Sequence, residues 1–213
     1  CPVNLDAVYI EGIRQVSAID IDFATELGYR IKLLAIARLT DHGVEQRVHP
    51  CMVAEGTSIA HVDGVFNAVM AEGDFVDRVL FEGRGAGEGP TASAVVGDLV
   101  DIGRNIRLPA FSVPTASLKA LQPAPMDSHV GPYYVRLSVV DRPGVIADIS
   151  AILRDQHISI GSLLQRGRDP GEAVTVVLIT HENEEAAMVR AMASIGGLEA
   201  VLEEPKIIRI EAL

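Results

Sequence analysis

The final 80 or so residues alternate between short apolar runs and stretches of helical periodicity, and this order restricts the fold more than any other feature. The runs of strand length are at 133–140, 157–164, 173–180 and 206–210. Apolar residues between the first two runs repeat at helical spacing from Val145 to Leu153, and Asn183 can cap a second helix that extends to Ile195. The resulting order is βαββαβ, which predicts a ferredoxin-like domain.

The first half of the chain also mixes strands and helices. The predicted strands are 7–10, 29–39, 44–53, 64–71 and 76–81. Ser17 is a predicted N-cap for a helix from Ala18 to Leu27 that ends at Gly28, and a second helix is predicted at 90–105. The short spacing of the strands indicates an α+β fold, with a mostly antiparallel sheet and helices on one face.

A stretch rich in proline separates the two halves. It includes Pro109, Pro114, Pro123, Pro125 and Pro132, and no hydrophobic periodicity survives in it. We therefore predict a domain at 1–106, a linker at 107–132 and a second domain at 133–213, lengths that are ordinary for domains.

Four glycines alternate with other residues in GRGAGEG at residues 83–89, between a predicted strand and a predicted helix. Glycine permits positive φ and leaves no Cβ in the way of a ligand. Backbone N–H groups before a helix can also face an anion. From the residues alone, the segment is either a binding loop or a simple turn, because its spacing is not the dinucleotide fingerprint.

Composition and charge exclude several classes of function. A net charge of −11 argues against nucleic acid or an anionic membrane as a partner. No apolar run approaches the length of a membrane helix, and two cysteines, Cys1 and Cys51, form no disulfide framework, which favours a cytoplasmic protein. The six histidines lack the spacing of metal ligands, so no metal site is predicted.

Glu11 is either a solvated turn carboxylate or part of a substrate cleft.

Three motifs in the first half resemble the catalytic and dimerisation domain of bacterial homoserine dehydrogenases. They are ELGYRIKLLAIA at 26–37, VDGVFNAV at 62–69, and GRGAG at 83–87 followed by PTASAVV at 90–96. Residues 134–211 resemble an ACT domain, with DRPGV at 141–145 where its first strand meets its first helix. The long bacterial enzymes of this family carry such a tail, so the resemblance covers nearly the whole chain.

The resemblance implies an NAD- or NADP-dependent oxidoreductase that interconverts L-homoserine and L-aspartate-4-semialdehyde, acting as a homo-oligomer, a dimer or tetramer. In the family the glycine segment approaches the cofactor, which points here to Gly85, Ala86 and Gly87. The family's Rossmann domain and its catalytic Asp–Lys pair are expected upstream of residue 1. No catalytic residue is therefore assigned, Lys32 included, and the chain alone is expected to be inactive.

The ACT resemblance implies a site for a small amino acid at Asp141, Pro143, Gly144 and Val145, with threonine as the expected effector. A helix N-terminus there can accept the carboxylate of the amino acid. Two alternatives stay open on the sequence. The ACT domain could serve assembly only, or the whole chain could be a non-enzymatic regulatory protein that binds amino acids.

Overall fold

The computed structural model describes residues 4–105, 114–167 and 171–213. It is a mixed α+β structure whose strand pairing is mainly antiparallel, as the sequence predicted. Within the described residues, no helix combines the length and the hydropathy that crossing a bilayer requires.

The elements are as follows. The strands are Tyr9–Ile10 (β1), Tyr29–Thr40 (β2), Gly43–Ala54 (β3), Phe66–Gly73 (β4), Asp77–Arg84 (β5), Val130–Gly131 (β6), Tyr133–Val140 (β7), Ile160–Gln165 (β8), Ala173–Thr180 (β9), Asn183–Glu184 (β10) and Lys206–Glu211 (β11). The α-helices are Ala18–Glu26 (α1), Glu88–Asn105 (α2), Val145–Asp155 (α3) and Glu185–Gly196 (α4).

The largest sheet confirms the βαββαβ prediction for the second half. Its neighbouring strands run β11, β7, β9, β8, and each of these pairs is antiparallel. Helices α3 and α4 follow β7 and β9 in the chain. This is the strand order and connection pattern of a ferredoxin-like domain.

The same sheet continues into the first half of the chain. β3 pairs with β11 in parallel, with Cys51 opposite Arg209 and Val53 opposite Glu211. β2 then pairs with β3 along its whole length, and β1 lies in parallel beside the middle of β3. The outer edge of β11 is therefore hydrogen-bonded rather than exposed, which removes a free sheet edge.

As a result, the compact units of the structure differ in their boundaries from the two domains and the linker that the sequence predicted. One unit contains residues 4–54 together with 122–213, and the other contains 55–121. Strands far apart in the chain pair within the first unit, and hydrophobic periodicity carries no signal for such pairing. The predicted linker at 107–132 falls partly outside the described residues, and its last part, 122–132, belongs to the first unit.

Side chains of β7 alternate between two cores, one on each face of the sheet. Tyr133, Val135, Leu137 and Val139 face the core that contains α3 and α4. Tyr134 faces the opposite core, where Phe23 and Ala24 of α1 are buried. The period of two follows from the strand geometry, so this sheet has three layers: α3 and α4, the strands, and α1.

Helix α1 begins where the sequence predicted. Ser17 and Asp20 form a capping box, in which the Ser17 backbone N–H donates to Asp20 Oδ2 at 2.9 Å. The helix ends at Glu26, and Gly28 follows with a φ of +79°. This left-handed conformation explains why the position after the helix carries glycine.

Two local predictions were wrong. Asn183 does not cap α4, because it pairs with Gly131 in a short ladder and its side chain donates to the His181 carbonyl; Glu184 is the N-cap instead. β2 was predicted to be a buried strand, but it is an outer strand whose residues are exposed or partly exposed. Both errors arise because tertiary pairing overrides local sequence preference.

The second unit contains the β4–β5 hairpin and α2. The hairpin is antiparallel, with Phe66 opposite Arg84 and Gly73 opposite Asp77. Helix α2 has no buried residue, and its predicted apolar face is exposed. The exposed apolar residues of that face are Val95, Val96, Leu99, Val100 and Ile102.

The layer formed by α1 yields a prediction about stability. Phe23 is 1% exposed in the core between α1 and the sheet, so Phe23→Ala should lower the free energy of unfolding by about 3–5 kcal/mol. All four tyrosines lie in residues 4–54 and 122–213, and the chain has no tryptophan. Urea unfolding followed by tyrosine fluorescence therefore reports on this unit.

The matched control is Phe75→Ala, at a phenylalanine that is 96% exposed. It should leave the midpoint of unfolding nearly unchanged. Equal effects of the two substitutions would contradict the placement of α1 on the sheet.

Candidate functional site

The glycine segment joins β5 to α2 in the second unit. The Gly85 N–H donates to the Val65 carbonyl at 3.0 Å, and a Cβ at Gly85 would collide with the side-chain amide of Asn67. Gly87 has a φ of +124°, a conformation that side chains rarely adopt. The structure thus brings Gly85, Ala86 and Gly87 into one exposed turn, in which the positive φ of Gly87 disfavours any residue with a side chain.

The helix that follows this turn is not arranged for a phosphate. Glu88 is its first residue, and the Thr91 N–H already donates to the Gly87 carbonyl at 3.1 Å. A carboxylate in the first turn repels a further anion that the helix dipole would otherwise attract. The chemistry that this turn permits is therefore close approach of a flat or uncharged group to the backbone.

The four predicted effector residues lie together between β7 and α3, in the first unit. Gly144 is the N-cap of α3 with a φ of +97°, and it has no side chain to accept the N–H groups of the first turn. Val145 is buried, whereas Pro143 and Gly144 are exposed. The first turn of α3 therefore presents backbone donors beside an exposed tight turn, as an amino-acid carboxylate requires.

Neighbouring backbone hydrogen bonds hold this junction in place. The Asp141 N–H donates to the Glu172 carbonyl at 2.9 Å, and the Gly171 N–H donates to the Asp141 carbonyl at 3.0 Å. The Asp148 N–H donates to the Gly144 carbonyl at 2.9 Å. A preorganised junction of this kind lowers the entropic cost of binding a small ligand.

A group of buried charges, which sequence reasoning did not find, lies where β3 meets β11. Arg209 donates to Glu185 Oε2 at 2.9 Å and to Glu11 Oε2 at 2.8 Å. Arg47 donates to Glu211 Oε1 at 2.5 Å and to Glu45 Oε2 at 3.3 Å. Glu11 is therefore not a simple solvated turn carboxylate, because its side chain, 25% exposed, accepts from Arg209.

The buried tyrosines complete this charge group. The Tyr133 hydroxyl donates to Glu185 Oε2 at 2.9 Å, and the Tyr9 hydroxyl donates to Glu11 Oε2 at 3.0 Å. Burial, followed by the nearby Glu185 charge, raises the pKa of Tyr133. Burial alone would lower the pKa of Arg209, but the hydrogen bond and charge of Glu185, together with the hydrogen bond to Glu11, outweigh it and raise that pKa. Tyr133 and Arg209 therefore stay protonated at neutral pH.

Three side chains of this region have metal-ligand chemistry: His49, Cys51 and Glu211. Their ligand atoms lie within 4.8 Å of one another, and all three are buried. However, Arg47 pairs with Glu211 and its Nη1 lies 3.1 Å from His49 Nε2. Burial raises the pKa of the Cys51 thiol to about 12. Because the Arg47 guanidinium contacts both His49 and Glu211, these side chains are part of the ion-pair network described above.

A cavity of about 430 Å³ lies on the surface of the same unit. Its walls include Val8 and Tyr9, the start of β3 at Glu45 and Arg47, and the segment 123–126. Most of its lining is apolar, and Arg47 is already bonded to two carboxylates. Among the described residues that line this cavity, Arg47 is the one cationic group, and it is already paired with carboxylates.

Comparisons with known proteins agree with this arrangement. Residues 1–100 match the family model for homoserine dehydrogenase, and residues 133–197 match that for the ACT domain. The homoserine dehydrogenase of Neisseria gonorrhoeae is 40% identical over 218 residues, which cover 100% of this chain and 50% of that protein. The Pseudomonas aeruginosa enzyme is 38% identical over 219 residues, with the same shares.

A solved structure gives the same result. The crystal structure of a homoserine dehydrogenase from Thiobacillus denitrificans matches with a TM-score of 0.90 and 43% identity, covering 99% of this chain and 49% of that one. The Staphylococcus aureus enzyme at pH 7.0 matches with a TM-score of 0.64 and 25% identity. The chain spans about half the length of the relatives that it matches.

The buried histidines generate a prediction about pH. Neither ring nitrogen of His129 has a hydrogen-bond partner among the described residues, and its Nδ1 lies 3.6 Å from Glu45 Oε2. Burial, with Arg47 nearby, lowers the pKa of His129 below its ordinary value of 6.5. The unfolded chain therefore binds a proton at His129 at a higher pH than the folded chain does. The free energy of unfolding is unaffected by this residue above about pH 6.5, and it decreases as the pH falls from there through the pKa of the folded state.

His129→Phe removes both unpaired nitrogens and the proton uptake. Relative to the unsubstituted chain, its free energy of unfolding should be equal or higher at pH 7, and its advantage should grow as the pH falls below 6.5. Urea titrations at several pH values measure this, with His42→Phe at an exposed histidine as the control. A variant that loses stability with pH as steeply as the unsubstituted chain would contradict the prediction.

Proposed function

We propose that the intact protein interconverts L-homoserine and L-aspartate-4-semialdehyde with NAD or NADP. Residues 1–100 match the homoserine dehydrogenase family model, and residues 133–197 match that of the ACT domain. The observation that carries this proposal is 40% identity over the whole chain to a homoserine dehydrogenase. The same identity favours the enzyme over a non-enzymatic regulatory protein. The match covers about half of each relative, so the activity is proposed for the intact protein.

The glycine turn is the part of this chain that we place against the cofactor. Bound nicotinamide supplies hydride exchange with the carbon of the aldehyde–alcohol pair. Gly85, Ala86 and Gly87 offer a backbone without a projecting Cβ at two of three positions, and Glu88 disfavours a phosphate there. The three residues therefore suit the uncharged nicotinamide end of a cofactor whose phosphates bind elsewhere.

The exposed apolar faces of the second unit support self-association. Val69 and Phe81 on the hairpin are more than 60% exposed, as are Leu99 and Ile102 on α2. Apolar side chains concentrated in this way usually mark a contact surface. We propose that a second copy of the protein covers them, giving a homo-oligomer, and that the protein acts in the cytoplasm, where a free buried thiol such as Cys51 is ordinary.

The ACT domain is the proposed effector site. Backbone donors at the start of α3 would bind the carboxylate of a small amino acid, and the carboxylate of Asp141 would face its ammonium group. Asp141 and Val145 frame the turn at Pro143 and Gly144. Threonine is the amino acid expected for this family, as the end product of the pathway.

The enzyme proposal predicts the effect of a substitution in the intact protein. Gly85→Ala should lower kcat/KM by about 10-fold or more, because a Cβ displaces the turn from the cofactor. The new Cβ would also collide with the Asn67 side chain. The effect of that collision must be separated from the effect of a collision with the cofactor.

Asn67→Ala and the double variant provide that separation. If the glycine only clears Asn67, the double variant recovers full activity; if the glycine admits the cofactor, activity stays low. Steady-state assays with NAD and NADP measure both. The 213-residue chain alone should give no rate, and a measurable rate would overturn the claim that it needs further domains.

The effector proposal predicts binding by the isolated chain. Calorimetric titration with L-threonine should release or absorb heat, and Asp141→Asn should weaken binding about 10-fold or more, as expected for loss of a charged hydrogen bond. Asp155→Asn, the same change at the other end of α3, is the matched control. No heat with any of a series of small amino acids would leave the ACT domain with an assembly role only.

A further inference from the structure

Helix α1 closes the face of the ACT sheet that α3 and α4 leave open. Phe23 and Ala24 pack against Tyr134, Val177 and Ile208 in this core. Arg166, just after β8, lies over the Phe23 ring at 4.6 Å and pairs with Glu26 at the end of α1. A helix from the dehydrogenase segment is therefore part of the core of the effector domain.

One buried carboxylate connects this helix to the central strand β7. Asp20 is 0% exposed. Its Oδ1 accepts from Arg136 Nε at 2.6 Å and from the Tyr134 hydroxyl at 3.0 Å. Its Oδ2 accepts from Arg136 Nη2 at 3.3 Å and from the Ser17 hydroxyl at 2.7 Å. The same carboxylate thus caps α1 and fixes α1 to β7.

The charge on this carboxylate is stable. Burial alone would raise its pKa, but hydrogen bonds from Arg136 and Ser17 outweigh it, and the pKa of Asp20 is lowered. The Arg136 side chain is 11% exposed, so each charge has the other as its buried partner. Separation of α1 from β7 would leave both charges poorly compensated, so the docked arrangement of α1 is strongly favoured.

β7 also leads directly to the proposed effector site. Arg136 precedes Asp141 by five residues, or about 16 Å along a strand at the usual rise per residue. β7 is a central strand with β11 and β9 on its two sides, so it cannot shift alone. In the other direction, the chain continues from the end of α1 through Gly28 into β2 of the dehydrogenase segment.

We propose that the contact of Asp20 with Tyr134 and Arg136 couples effector binding at residues 141–145 to the docking of α1, so that each favours the other. The inference rests on the proposed effector function and adds the route by which the dehydrogenase segment responds. An effector that orders the start of α3 restrains β7 and strengthens the contact with α1. By thermodynamic linkage, the factor by which the effector favours docking is also the factor by which docking raises effector affinity, so a chain in which α1 undocks binds the effector more weakly.

The test uses the 213-residue chain, with L-threonine as the probe. Tyr134→Phe removes one hydrogen bond to Asp20 and keeps the ring in the core; Asp20→Asn removes the charge. Both should weaken threonine binding about 5-fold or more in calorimetry. Hydrogen exchange at residues 18–26 should slow on adding threonine to the unsubstituted chain, and the slowing should shrink in the variants. Tyr29→Phe, at another tyrosine of the same core, is the matched control.

The outcomes are distinguishable. Unchanged affinity in Tyr134→Phe, with no effect of threonine on exchange at residues 18–26, would overturn the inference and leave effector binding intact. Absence of threonine binding by the unsubstituted chain would overturn the effector proposal and this inference together. If Asp20→Asn does not fold, Tyr134→Phe still decides the question.

Discussion

The parallel pairing of β3 with β11 is the contact on which the first unit depends. β11 is the last strand of the ferredoxin-like sheet, and β3 lies within residues 1–100, which match the homoserine dehydrogenase model. Their three paired positions join residues that are 158 positions apart in the chain, such as Cys51 and Arg209, into one sheet. Because β2 and β1 attach to β3, the pairing also decides where α1 lies, and so which residues cover the second face of the ACT sheet.

Buried charges specify this pairing. Arg47 on β3 and Glu211 on β11 meet across the junction, and Arg209 connects β11 to α4 and to Glu11. Buried ion pairs add little net stability, but leaving one partner alone costs several kcal/mol. A shifted register would separate these groups, so they select one arrangement of the strands. The raised pKa values of Arg209 and Tyr133 keep both groups protonated at neutral pH, so these hydrogen bonds persist there.

The two proposed sites differ in how they use the backbone. At the glycine turn, Glu88 opposes an anion and the absence of a Cβ admits a close neighbour. At the ACT junction, Gly144 leaves donors at the start of α3 uncapped, and hydrogen bonds to residues 171–172 hold the turn. The first proposed site would therefore select its ligand by shape, and the second would select its ligand by charge and hydrogen bonding.

The sequence by itself determined the elements whose signals are local: the strands and helices of the ACT domain, the Ser17 cap, and the glycines at 85, 87 and 144. It also indicated the similarity to homoserine dehydrogenases and ACT domains, through short motifs that lie within the matched residues 1–100 and 133–197. Only the tertiary structure decided that β3 joins β11, that Asn183 is not a cap, and that Asp20 bridges α1 and β7. Those features depend on residues that are far away in the chain. Hydrophobic periodicity shows which face of a helix or strand is apolar, but not which other element packs against that face.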